Sequence, residues 1–119
     1  MTKNTKISTS KVPQVGKSQI ELLEKLCNAV AVSGDEQEVR QIVLEEVKSV
    51  ADEVKVDALG NVLVTRFGRG EKRPHVMLAA HMDEIGFMLV KDDEGGLFEF
   101  VTIGGIDERQ LVAKSVLVG

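Results

Sequence analysis

The sequence predicts an α/β fold, with helices flanking a sheet, on three observations. Two helical stripes of apolar residues come first, between about Ser18 and Val50; the apolar period then changes to two; and an uninterrupted apolar run, Val76-Met-Leu-Ala-Ala80, follows. Alternation with period two marks strands with one covered face, whereas a continuous run marks a strand covered on both faces. Val76 to Ala80 is therefore the expected central strand, with the two helices packed on its sheet. A chain of 119 residues has room for one small core or part of a larger one.

Each element has its own local signal. Residues 1–17 mix Lys, Thr, Ser, Asn and Pro without an apolar period, the composition of an unfolded leader. From Ser18, Ser-Gln-Ile-Glu has capping-box spacing, and Leu22, Leu23, Leu26 and Val30 share one helical face, so a helix is expected to run to about Ala31. Ser33 and Glu36 have the same spacing around a turn at Gly34, and Val39, Ile42, Val43, Val47 and Val50 form the second stripe. Val54 and Val56, then Val62 and Val64, alternate on either side of Asp57-Ala-Leu-Gly-Asn61. In that turn Asp57 and Asn61 are expected to bond their own backbone and Gly60 to take a positive φ. Gly68 to Pro74 is a polar loop. Gly86 to Lys91 and Leu97 to Thr102 predict a hairpin around Asp92-Asp-Glu-Gly-Gly96, and Val112 to Val118 one more strand. Gly104-Gly105 is a bend, because no Lys-Ser or Lys-Thr follows to make a phosphate loop. A strand running to Gly119 with no following partner leaves ladder groups unpaired, so the chain has the look of one cut short.

Composition narrows the function. Apolar residues make up 43% and aromatics 3%, so aliphatic side chains must build the core. No apolar stretch approaches the roughly 20 residues that span a bilayer, and the polar start lacks a signal-peptide centre, which points to the cytoplasm and away from the membrane. Lys3, Lys6, Lys11 and Lys17 are the charges of residues 1–17; the remainder has 11 basic against 19 acidic residues, a net −8. Such an acidic body argues against nucleic acid as a partner. The single cysteine, Cys27, cannot form an internal disulfide, and its apolar neighbours Leu26 and Val30 suggest a small buried side chain.

His81-Met-Asp83 follows the apolar run directly. In extended backbone, residues two apart project to the same side, placing an imidazole beside a carboxylate at a strand's carboxyl end, where α/β sheets hold ligands. A neutral imidazole suits zinc or cobalt through one nitrogen, while a carboxylate on the other nitrogen fixes the tautomer. By itself His-x-Asp is a weak signal, equally satisfied by a hydrogen-bonded strand-end histidine. His75 is separated from His81 by a strand length of about 20 Å, so the two cannot share a metal.

The longer string Leu78-Ala-Ala-His-Met-Asp-Glu-Ile-Gly-Phe87, preceded by Ala31-Val-Ser-Gly-Asp-Glu36 and Asp57-Ala-Leu-Gly-Asn61 and followed by Ile103-Gly-Gly105, adds a family signal. In that order and spacing these motifs resemble the glutamyl aminopeptidase and tetrahedral aminopeptidase family of co-catalytic metallopeptidases, also labelled endoglucanases, over about residues 18–119. The resemblance implies helices around a mixed sheet, an inserted β domain used in dimer contacts, and assembly into a homo-oligomeric shell. It implies that His81 binds one metal, that Asp83 is the catalytic-site aspartate supporting it, and that two divalent ions, zinc or cobalt, activate a water against the first peptide bond of a peptide substrate. The family's bridging Asp, general-base Glu, Glu ligand, further Asp and second His have no counterpart in this sequence, and because the family's general base lies later in the chain, the resemblance leaves Glu84 a supporting structural role. The expected organisation is a leader at 1–17, the amino-terminal part of the catalytic domain at 18–91, and the start of the inserted domain at 92–119. Two rivals remain: a related two-metal carboxypeptidase or deacylase, and a non-catalytic oligomerisation or binding fragment.

Overall fold

In the computed structural model residues 14–119 are described, so most of the expected leader, residues 1–13, lies outside the described residues. The chain forms α1 (Lys17–Asn28), α2 (Gln37–Val47), β1 (Glu53–Val56), β2 (Val62–Thr65), β3 (Gly86–Asp92) and β4 (Phe98–Ile103), then a single 3-10 turn at Glu108–Gln110. The α/β class holds: two helices are followed by two antiparallel hairpins, β1 with β2 and β3 with β4.

Both helices are displaced slightly from the expected caps. Gly16 caps α1, its N–H donating to Gln19 Oε1 at 2.9 Å, which meets the three-residue spacing two positions earlier than Ser18. The helix stops at Asn28 instead of near Ala31 because Ala29 is already extended (φ −74°, ψ 142°) and Ala31 is bonded elsewhere. Glu36, not Ser33, caps α2. From α2, Arg40 Nε donates to the Gly60 carbonyl at 2.9 Å while its guanidinium pairs with Glu36 at 3.4 Å, so one side chain ties the helix to the β1–β2 turn.

That turn is built as its composition demands. Asp57 Oδ1 accepts from the Leu59 and Asn61 amides, both at 2.9 Å, and Oδ2 accepts from the Asn61 side chain at 2.9 Å. Gly60 sits at φ 86°, where a Cβ would also meet the Arg40 guanidinium at 2.6 Å. The Asn61 side-chain amide foremost, then the backbone amides, hold the Asp57 carboxyl below the usual carboxylate range. In the second hairpin, Asp93 Oδ1 accepts from Gly95 N at 3.0 Å and Leu97 N at 3.1 Å, closing the turn. A bulge between Leu89 and Lys91 interrupts the register, Phe87 and Phe100 meet edge to face at 5.0 Å, and Gly104 at φ 86° makes the expected bend.

Three expectations are corrected. Val76 to Ala80 forms no strand: it pairs with none of the described residues, and Val76, Met77 and Leu78 are 81%, 87% and 94% exposed. An apolar run states that a segment must be covered but not by what, and no described strand pairs with it. For the same reason Val112 to Val118 is not a strand among the described residues. The described residues hold antiparallel pairs and one isolated parallel bridge, Val32 with Glu84. Cys27 is exposed, because it follows Leu26 by one residue and about 100° of helical rotation carries it off the half-buried Leu22 and Leu26 stripe. The buried hydrophobic side chains are Ala31 and Val39, so what core exists sits where α2 meets the connector between the helices.

Two outcomes are expected. In hydrogen exchange on residues 1–119 alone, the amides of residues 76–80 exchange at the rate of unpaired chain while the β3–β4 ladder is protected; protection of 76–80 comparable to β4 in that polypeptide would contradict the unpaired assignment. Replacing Asp57 by Ala lowers the thermal midpoint at neutral pH. Because the folded pKa of Asp57 is depressed, its stabilisation is fully present above the unfolded carboxylate pKa and is lost as pH falls through the folded value. The difference between wild type and variant therefore shrinks over that acid range, and a difference independent of pH would rule the carboxylate out as its source.

Candidate functional site

Two segments distant in sequence meet at the site: the connector between α1 and α2, and the segment 81–86 that leads into β3. Glu84 N donates to Ala31 O at 2.7 Å, Ala31 N donates back to Glu84 Oε1 at 3.3 Å, and Val32 bridges Glu84 in parallel. Glu84 thus satisfies both backbone groups of Ala31, as buried backbone requires. Glu38, in the first turn of α2, accepts from Val30 N at 2.9 Å and holds the other end of the connector. Gly86 completes the contact, since a Cβ there would stand 2.8 Å from Val32 Cγ1; the close approach leaves no room for a side chain.

On this frame His81 and Asp83 come together. His81 Nδ1 lies 3.1 Å from Asp83 Oδ1 and 2.9 Å from the Asp83 carbonyl oxygen. Ser33 Oγ donates to the second carboxylate oxygen, Oδ2, at 2.6 Å. The Ser33 hydroxyl first, and the His81 ring after it, hold the Asp83 carboxyl below the usual carboxylate range, so it is ionised at neutral pH and can only accept. Both oxygens facing Nδ1 are then acceptors, which puts the ring hydrogen on Nδ1 and leaves the lone pair on Nε2. With its side chain 85% exposed, the ring presents that second nitrogen to solvent, while Asp83 is 42% exposed. The meeting does not depend on strand geometry: β3 begins only at Gly86, and the ring reaches forward to the backbone and side chain two residues on.

The remaining sequence candidates fall elsewhere. Glu84 is spent on Ala31, in keeping with a structural role. Asp57 and Asn61 close the β1–β2 turn. Ser33 is the residue that sequence reasoning missed. Its spacing to Glu36 suggested a cap, but its hydroxyl is committed to Asp83, 50 positions away. Nothing local signals that partner; the one available hint is that Ser33 lies inside a motif carrying the family resemblance.

The donor chemistry fits one position of a metal site. A neutral imidazole with Nδ1 bonded to a carboxylate and Nε2 free is the form that coordinates zinc or cobalt. A stable zinc site takes three or four protein ligands, and no group of three or more His, Cys, Asp or Glu assembles among the described residues. His81 and Asp83 thus have the donor arrangement of a single imidazole ligand and its supporting carboxylate, short of a complete site.

Comparison with known proteins bears on this arrangement directly. Residues 60–119, half the chain and including His81, Asp83 and Gly86, match the family described as M42 glutamyl aminopeptidase. The chain belongs to the M42 glutamyl aminopeptidase family. It is 42% identical over 97 residues to the lysyl aminopeptidase of Pyrococcus furiosus, covering 81% of this chain and 27% of that protein. To the glutamyl aminopeptidase of Lactococcus lactis it is 36% identical over 89 residues, covering 72% of this chain and 25% of the relative. Its fold is similar to that of the TET aminopeptidase of the marine sediment archaeon Thaumarchaeota archaeon SCGC AB-539-E09, with a TM-score of 0.64 and 40% identity over 72% of this chain and 24% of the other. The chain spans about a quarter of the length of the M42 relatives it matches. No helix among the described residues is long and apolar enough to cross a membrane.

Proposed function

We propose that this chain is the amino-terminal part of a cytoplasmic M42 metallo-aminopeptidase, which removes residues from the free amino end of peptides with two divalent metal ions, zinc or cobalt. The observation that carries the reading is the His81 ring, with Nδ1 held by Asp83 and Nε2 free. His81 Nε2 would hold one metal, with Asp83 fixing the ring's tautomer and orientation. Divalent ions at such a site would supply the Lewis acidity that activates a water and polarises the scissile carbonyl. The residues of this chain orient the imidazole and keep its proton on the side away from the ligand position.

The rest of the catalytic machinery lies in the portion of the relatives that this chain does not span. On this reading the exposed apolar residues are covered in the intact enzyme, where helices surround a mixed sheet. Residues 92–119 open an inserted β domain through which the enzyme forms a homo-oligomer. The M42 family and the named aminopeptidase relatives support this activity over the carboxypeptidase and deacylase alternatives.

Residues 1–119 by themselves are expected to show no aminopeptidase turnover with zinc or cobalt added, since one imidazole falls short of a metal site; metal-dependent release of amino-terminal residues by a preparation containing only those residues would overturn this. In the intact enzyme, His81→Ala removes a ligand nitrogen, so one metal is lost and turnover collapses. Asp83→Asn keeps the shape but not the charge, and is expected to weaken metal affinity or activity by about 10 to 100-fold. Bound metal per chain measured beside peptide turnover separates the two. Retention of two tightly held metals and near-normal turnover by His81→Ala would make His81 a structural histidine and end the proposal.

A further inference from the structure

We propose that Ser33 is a positioning residue for the metal ligand: its hydroxyl fixes the Asp83 carboxylate, which in turn fixes the tautomer and direction of the His81 ring. The inference rests on His81 being a ligand, and adds to that reading a residue 50 positions before Asp83.

The geometry is a two-handed hold. Asp83 Oδ2 accepts from Ser33 Oγ at 2.6 Å, and Oδ1 faces His81 Nδ1 at 3.1 Å. A carboxylate gripped at one oxygen turns freely about its last torsion, and Asp83 is exposed enough for water to compete for the oxygen that faces the ring. Gripped at both, its plane is set, and Oδ1 stays where the ring hydrogen needs it. Ser33 is itself held in a tight turn: Asp35 N donates to Val32 O at 2.8 Å, Gly34 stands at φ 95°, and Gly34 N donates to the Glu36 side chain. The turn is locked to the site segment by the Ala31–Glu84 bonds and by Val32 under Gly86. The hydroxyl therefore arrives from a rigid base, not from a mobile side chain that happens to be near. His81 has no such base of its own, since its ring is mostly exposed and its bonds all run to Asp83. The Asp83 carbonyl also accepts from Nδ1, but it cannot hold the carboxylate; Ser33 can.

The test uses the full-length polypeptide carrying these residues, with Ser33→Ala, Ser33→Thr and Ser33→Cys. In the metal-free protein, at a pH above the ordinary imidazole range, the two ring ¹⁵N resonances of His81 report which nitrogen carries the hydrogen. Wild type is expected to show the hydrogen on Nδ1, Ser33→Ala a mixture with a reduced Nδ1–H share because the Asp83 carbonyl alone then holds it, and Ser33→Thr, which restores a hydroxyl, the wild-type pattern. Zinc affinity, read by competition with a chromophoric chelator, is expected to fall about tenfold in Ser33→Ala, the lower end of the range for partners behind a metal-bound imidazole, and to recover in Ser33→Thr. A wild-type tautomer signature and wild-type zinc affinity in Ser33→Ala would overturn the proposal. If Ser33→Ala loses amide protection across β3–β4, Ser33→Cys decides, since it keeps the size and most of the packing but donates weakly: a mixed tautomer supports the assignment and a wild-type signature refutes it. His81→Ala measured alongside separates the two readings. If it binds zinc as wild type does, the ligand assignment has failed, and the tautomer data still judge Ser33 on their own.

Discussion

The pairing of Ala31 with Glu84 is the contact on which the rest of this structure depends. It stops α1 at Asn28, because residues that could have continued the helix are bonded across to another segment. It sets the height of the connector, so that Ser33 lies opposite Asp83 and Val32 lies over Gly86. Ala31 is also one of the two buried hydrophobic side chains, so backbone bonding and burial coincide at this point. Burial makes the pairing costly to lose, since an unpaired amide or carbonyl there would have no water to replace its partner. The site is thus anchored by main chain and tuned by side chains: Glu84 holds the two segments together, and Ser33 and Asp83 use the proximity.

Outside that junction the chain is held by local devices. The two hairpins owe their closure to Asp57 and Asp93, each bonding amides two and four residues ahead. Arg40 is the link between helix and hairpin, bonding Gly60 across 20 positions. These contacts order segments without covering them. Val76, Met77 and Leu78 remain in solvent, as do Val112 and Leu117, although their hydrophobicity is what called for strands. Covering such surface takes a second layer of structure, and the relatives of this chain are about three times its length.

The elements whose signals lie within a few residues were legible in the sequence. Both helices, both hairpins, the Asp57–Asn61 turn and the Gly104 bend follow from periodicity, cap spacing and turn chemistry, and the His81–Asp83 contact follows from a spacing of two. Errors entered where a local signal had two uses. The Ser33–Glu36 spacing reads as a cap, yet the hydroxyl serves Asp83. Leu26 and Val30 made Cys27 look buried, yet helical rotation turns it to solvent.

By itself the sequence determined the order of the two helices and two hairpins, the turns, and the His81–Asp83 contact, because each depends on forces acting over a few residues. Only the tertiary structure decided that Ser33 meets Asp83, that Glu84 is occupied by Ala31, that Gly86 must be bare beneath Val32, and that the apolar run at 76–80 lies unpaired. Those outcomes depend on which distant segment arrives alongside. A residue's own pattern can state that it needs a hydrogen-bond partner or a covering layer, but the partner is chosen by how the whole chain packs.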